Sequence, residues 1–191
     1  MGTKKLFQTL TDKGNPREIE SDGPFPCKWP NTWLGDGYYL WETYIENAHW
    51  WGSMNKGGYI IGMGICDYEY NKCFDLLPGS DEHLKLMREV IEKLKEQGLY
   101  DVLTTTVPKV IEFMKKIHFP YEAIRAYGID SIDKDKSLNQ PYLFRLPFET
   151  RLPAYLDLSP AIQICLLQKN SLNFRDFKVV YPEYYLLNYT F

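Results

Sequence analysis

Apolar and polar positions along this chain follow two rhythms, one of period two and one helical, and these predict the elements. Lys4 to Thr11 alternates weakly, with Leu6, Phe7 and Leu10 as its apolar content, and predicts a first strand. Tyr38 to Trp41 predicts a second, with Tyr39 and Trp41 on one face and Tyr38 and Leu40 on the other. From Tyr44 to Trp51 the period turns helical: Ala48 and Trp51 share a stripe and Trp50 sits beside it. Tyr59 to Cys66 predicts a buried strand and Cys73 to Leu76 a short edge. Ser80 caps the clearest helix, Asp81 and Glu82 suit its positive end, Leu84, Met87, Ile91 and Leu94 form its stripe, and Gly98 stops it. A further helix is expected over Pro108 to Ile117, with Val110, Ile111, Met114 and Ile117 inward. Ala123 to Tyr127, Ala161 to Leu167 and Phe177 to Tyr181 read as strands. Glycines and prolines in residues 12–32 predict an irregular loop, Gly128 to Asn139 a polar loop, and Pro141 to Pro160 an extended surface segment. Strands and helices mixed in this order predict an α+β fold.

Composition narrows the field. At 191 residues the chain fits one domain spanning 1–191. A net charge of −3 implies no general attraction to nucleic acid, although a local basic patch would still allow such a target. No apolar run has the length of a membrane span and Met1 to Thr11 lacks a signal-peptide core, so a cytoplasmic protein without membrane contact is expected. Cys27, Cys66, Cys73 and Cys165 form no Cys-x-x-Cys pair, which predicts free thiols and no metal site. His49, His83 and His118 lack i,i+4 partners, and Gly62-x-Gly64 lacks the rest of a dinucleotide fingerprint. The aromatic tail, Tyr184, Tyr185, Tyr189 and Phe191, is too apolar to stand in water and is expected to pack on the domain or on a protein partner. Aromatics reach 16%, which suits either a ring-stacking site or a core packed with rings.

The densest aromatic stretch is Trp33-Leu34-Gly35-Asp36-Gly37-Tyr38-Tyr39-Leu40-Trp41-Glu42, followed by Glu46-Asn47-Ala48-His49-Trp50-Trp51. Gly35-x-Gly37-x-Tyr39-Leu40 resembles the Gly-x-Gly-x-Tyr-Phe element of the ADP-ribosyltransferase superfamily, in its poly-ADP-ribose-polymerase-like branch. Asn47-Ala48-His49-Trp50 stands where that branch carries Ser-Ala-Asn-Tyr. The longer Trp-Leu-Gly-x-Gly-x-Tyr-x-Trp-Glu form is also similar to an uncharacterised bacterial group of the same fold. The resemblance is closest over residues 31–51.

The resemblance implies a split β-sheet core with peripheral helices, and NAD as substrate without a metal. Tyr39 and Trp50 would hold the nicotinamide between them, and Gly37 would let the backbone approach. Leu6-Phe7-Gln8-Thr9-Leu10 would supply Gln8 toward the adenosine ribose, in place of the family's histidine, and Thr9 or its backbone toward the carboxamide. Gln163 stands where the family has a glutamate that steadies the sugar cation as nicotinamide leaves. A glutamine can orient a hydroxyl but brings no charge. So Gln163 marks a slower enzyme, one that borrows a carboxylate, or a binding protein. Glu149 is the carboxylate to be borrowed, with Arg151 positioned for a pyrophosphate; the alternative for both is a surface ion pair. Three functions follow: NAD-dependent ADP-ribosyl transfer or NAD hydrolysis toward an unknown macromolecular acceptor; the same fold kept as a binding module; or an unrelated α+β protein whose aromatic motif is only core.

Overall fold

Strand β1 (Gly2–Thr11) lies near the middle of a sheet whose order is β4-β5-β8-β2-β1-β3-β9. The other members are β2 (Tyr38–Glu42), β3 (Tyr59–Tyr68), β4 (Cys73–Asp75), β5 (Ala123–Tyr127), β8 (Ile162–Leu166) and β9 (Arg175–Tyr181). β4 and β5 run parallel and all other neighbours antiparallel. A hairpin of β6 (Arg145–Pro147) and β7 (Tyr155–Asp157) stands apart. The helices are α1 (Pro16–Asp22), α2 (Ile45–Ser53), α3 (Asp81–Glu96), α4 (Val107–Ile117) and the short α5 (Glu183–Leu186). These elements come from a computed structural model that describes residues 2–29, 32–54, 57–128, 145–149 and 155–186. The fold is α+β, as the mixed rhythms predict.

Side-chain alternation in the strands divides the core. Leu6, Leu40, Ile164 and Leu166 pack with Phe174 on one side of the sheet. Helices α3 and α4 set Met87, Val90, Leu94, Val110, Ile111 and Met114 against Phe74, Ile124 and Cys165. Phe7, Trp41, Ala48, Trp50 and Ile61 form a third group beneath α2. The α3 stripe turns on His83, Met87, Val90 and Leu94, with Leu84 and Ile91 only half-buried at its margin. His83 is buried because its Nδ1 accepts from the Asp75 amide, 3.1 Å, which satisfies a strand-end donor. Ser80 precedes α3 but makes no side-chain capping bond, and Ile117, at the last turn of α4, is exposed instead of inward.

Residues 12–32 are not uniformly irregular. Asn15-Pro16 starts a seven-residue helix and the Gly23 amide closes it on the Ile19 carbonyl at 2.9 Å. Such a short helix cannot persist alone. Ile19 is buried against Ile60 and Val179, and Glu20 accepts from the Val179 amide at 2.8 Å. Tyr184 and Tyr185 of the tail fold back, both donating to the Asp12 carboxylate at 3.0 and 2.9 Å. Tyr189 and Phe191 lie outside the described residues.

Candidate functional site

β1 pairs with β3 along its whole length but with β2 only at Leu6↔Glu42 and Phe7↔Trp41. The Thr43 amide donates to the Lys5 carbonyl at 2.8 Å, so the backbone groups of Lys5, Phe7 and Thr9 point toward the β2 side. Two residues further in the same register Thr9 would meet Tyr39, and that pairing does not form. The sheet splits there. A Thr9 N–H and C=O are left facing the gap with no ladder partner among the described residues.

A cavity of about 910 Å³ fills the split, within the usual size of small-molecule sites, roughly 300–1,000 Å³. Its walls include Thr9, Tyr39, Trp41 and Gln163, with Trp33 and Trp51 at the rim. Among the described residues the lining contains no Asp, Glu, Lys, Arg or His. Aromatic faces carry a negative quadrupole, so such a lining favours a flat ring and, above all, a flat cation. Among the described residues it offers no charged acid or base, and Cys27 is the thiol on its wall. The Cys165 thiol beside Tyr39 is pushed up to about 12 by burial, which leaves it inert.

Tyr39 is anchored at both sides of its hydroxyl. Its hydroxyl accepts from the Leu34 amide at 2.9 Å and donates to the Gly35 carbonyl at 2.7 Å. Gly35 has φ +88°, a backbone shape that glycine adopts freely. Burial, then the neighbouring Cys165 thiol, raises the Tyr39 phenol above its ordinary range, so it stays a neutral hydroxyl. Gln163 lies directly across from Trp41 in the ladder, and its Oε1 accepts from Trp33 Nε1 at 3.0 Å.

Other expected site residues stand elsewhere or are already engaged. Trp50 does not oppose Tyr39. It is only 2% exposed, in the core under α2, with its ring edge-on to Trp41 at 6.2 Å between centroids. Consecutive helical residues point about 100° apart, so turning Trp50 inward leaves Trp51 to reach the cavity. Gln8 lines the cavity with both ends of its amide occupied: Nε2 donates to the Phe25 carbonyl at 2.7 Å and Oε1 accepts from the Phe25 amide at 2.8 Å. It fastens the 23–27 loop, so its amide is held by Phe25 with one Nε2 proton and one Oε1 lone pair left over. The Thr9 hydroxyl donates to the Ala48 carbonyl at 2.7 Å, which leaves its backbone as the available part.

Gly37 serves packing instead of ligand approach. A Cβ there would come within 2.5 Å of Cys165 Sγ and 2.7 Å of the Leu166 carbonyl. Glu149 is exposed next to Phe148 beyond β6 and is not part of the cavity wall. The expectation for Arg151 lies outside the described residues.

The sequence reading missed the contact between Trp33 and Gln163, which spans 130 residues. It also missed Phe25 and Tyr127 in the wall. The crowding of tryptophans at 29, 33, 41 and 51 was the available signal, since all four line the cavity. Among the described residues no group of His, Cys, Asp and Glu could hold a metal ion, and no helix is long and apolar enough to cross a membrane. No protein-family model, curated protein or solved structure matches the chain.

Proposed function

We propose that this chain is an ADP-ribosyltransferase-type domain whose split-sheet cavity holds the nicotinamide end of NAD, and that it acts as a binding module without transferring ADP-ribose. The observation that carries this reading is convergence. Three stretches likened separately to NAD-binding elements, around Thr9, Tyr39 and Gln163, meet at the gap between β1 and β2 although they lie far apart in sequence. The Thr9 N–H and C=O, without a ladder partner among the described residues, match the acceptor and donor of a carboxamide. The ring of NAD is a pyridinium, and each aromatic face it meets contributes about 0.5–2 kcal/mol. Binding without turnover is favoured by the absence of charge from the lining among the described residues, by Gln163 in place of a carboxylate, and by the engagement of Gln8 with Phe25.

Four of the five tryptophans line the cavity, so intrinsic fluorescence reports directly on its occupancy. Titration with NAD should give saturable quenching, and the same sample should release no nicotinamide above a protein-free control. Nicotinamide release that disappears in Gln163→Leu would replace this reading with ADP-ribosyl transfer or NAD hydrolysis. Neither quenching nor release would remove NAD altogether and leave the aromatic motif as core.

A further inference from the structure

The bond from Trp33 to Gln163 has a chemical direction. An indole N–H can only donate, so the oxygen of the Gln163 amide must face Trp33, and its nitrogen faces away. We propose that Trp33 is a positioning residue that holds the Gln163 amide with its NH2 toward the cavity, so that the site selects ligands presenting an oxygen acceptor at that point. This deepens the nicotinamide reading and rests on it for the identity of the ligand.

Trp33 is itself held in place. Cys27 and Gly37 close the base of its loop through two backbone bonds, 2.7 and 3.2 Å. The next residue, Leu34, is buried against α4 and gives its amide to the Tyr39 hydroxyl. Gln163 is fixed from below by its ladder pairing with Trp41 on one side and Ala126 on the other. Its two amide N–H donors have no partner among the described residues, and Gln163 itself lines the cavity. A carboxylate at this position would accept from Trp33 equally well, yet could only accept from a ligand too. The amide reverses that polarity. With the nicotinamide between Thr9 and Tyr39, the sugar on its ring nitrogen is the part that reaches Gln163, and a ribose hydroxyl oxygen becomes the acceptor.

The test compares nicotinamide with nicotinamide riboside by calorimetry on wild type, Trp33→Phe and Gln163→Leu, and records the five indole N–H resonances of each protein where present. Losing one oriented hydrogen bond should weaken the riboside about fivefold in Trp33→Phe and about tenfold in Gln163→Leu. Nicotinamide, which does not extend to Gln163, should change by less than about twofold. Gln163→Leu should also move the Trp33 indole signal more than the other four. Equal losses for both ligands, or an unchanged riboside affinity, would overturn the proposal. If wild type binds neither compound, the nicotinamide reading falls and the resonances decide alone. A shifted Trp33 signal then supports the fixed amide, and an unmoved one overturns it.

Discussion

β2 serves two regions of opposite character. Tyr39 and Trp41 face a cavity whose described lining carries no charge, whereas Glu42, one residue on, joins a cluster of charges on the other side of the sheet. There Arg125 reaches Glu42 through Nε at 2.6 Å and Nη2 at 2.9 Å, and Asp75 through Nη1 at 2.8 Å. Lys4 pairs with Glu42, and the Tyr68 hydroxyl donates to Asp75 at 2.8 Å. Two cations meet two carboxylates, so the cluster is internally balanced and bonded to itself. The cavity has the reverse arrangement, with uncharged polar groups of which, among the described residues, the Thr9 backbone and the Gln163 amide nitrogen are unpaired. The open hydrogen-bonding groups lie at the cavity, and the closed ones belong to the scaffold.

This contrast predicts that the largest stability loss comes from the charged side. Arg125→Met leaves two carboxylates that are each 4% exposed with Lys4 as their one remaining cation among the described residues, and should cost about 3–5 kcal/mol in urea unfolding. Gly37→Ala comes next, since its Cβ meets a strand carbonyl that cannot move aside; a loss of about 1–3 kcal/mol is expected by the same measurement. Tyr39→Phe removes the hydroxyl that ties down Leu34 and Gly35. It should cost about 1 kcal/mol of stability while weakening NAD quenching, because the aromatic wall loses its anchor.

The smallest effect near neutrality is the acid response of Asp75. Burial pushes this carboxyl up, but the Leu77 amide, the Tyr68 hydroxyl and Arg125 outweigh it and hold it below its ordinary 3.8. A folded-state value below the unfolded one means the stabilisation is complete above pH 3.8 and is lost as pH falls through the lowered value. Asp75→Asn should flatten that acid limb of the stability profile and leave its shape above pH 5 unchanged. An acid limb that persists unaltered would place the proton uptake elsewhere.

Much of the scaffold was legible because its signals are local. The Ala123–Tyr127 strand, the α3 and α4 helices and the alternation of Tyr38 to Trp41 all follow from short-range period. Thr9 and Gln163 could be singled out only through resemblance, and their meeting with Tyr39 depends on where β1 parts from β2. Strand separation of this kind has no signature in either strand alone. Trp50 illustrates a second limit. Neighbouring tryptophans on a helix are indistinguishable by composition, and the packing of α2 on β1 and β3 decides which one turns inward. Gln8 illustrates a third: its type allows ligand binding, and its partner Phe25, 17 residues away, takes both ends of the amide. The helix α1 was marked by Asn15-Pro16 and Gly23, though the density of glycine and proline around it reads as loop.

The most direct measurement is a backbone and indole amide map of the protein titrated with nicotinamide. Binding in the split sheet predicts shifts concentrated at the Thr9 amide, Tyr39 and the indoles of Trp41 and Trp51, with Arg125, Asp75 and Lys4 unmoved. No shift at saturating nicotinamide, or shifts that leave Thr9 and Tyr39 untouched, would contradict the account.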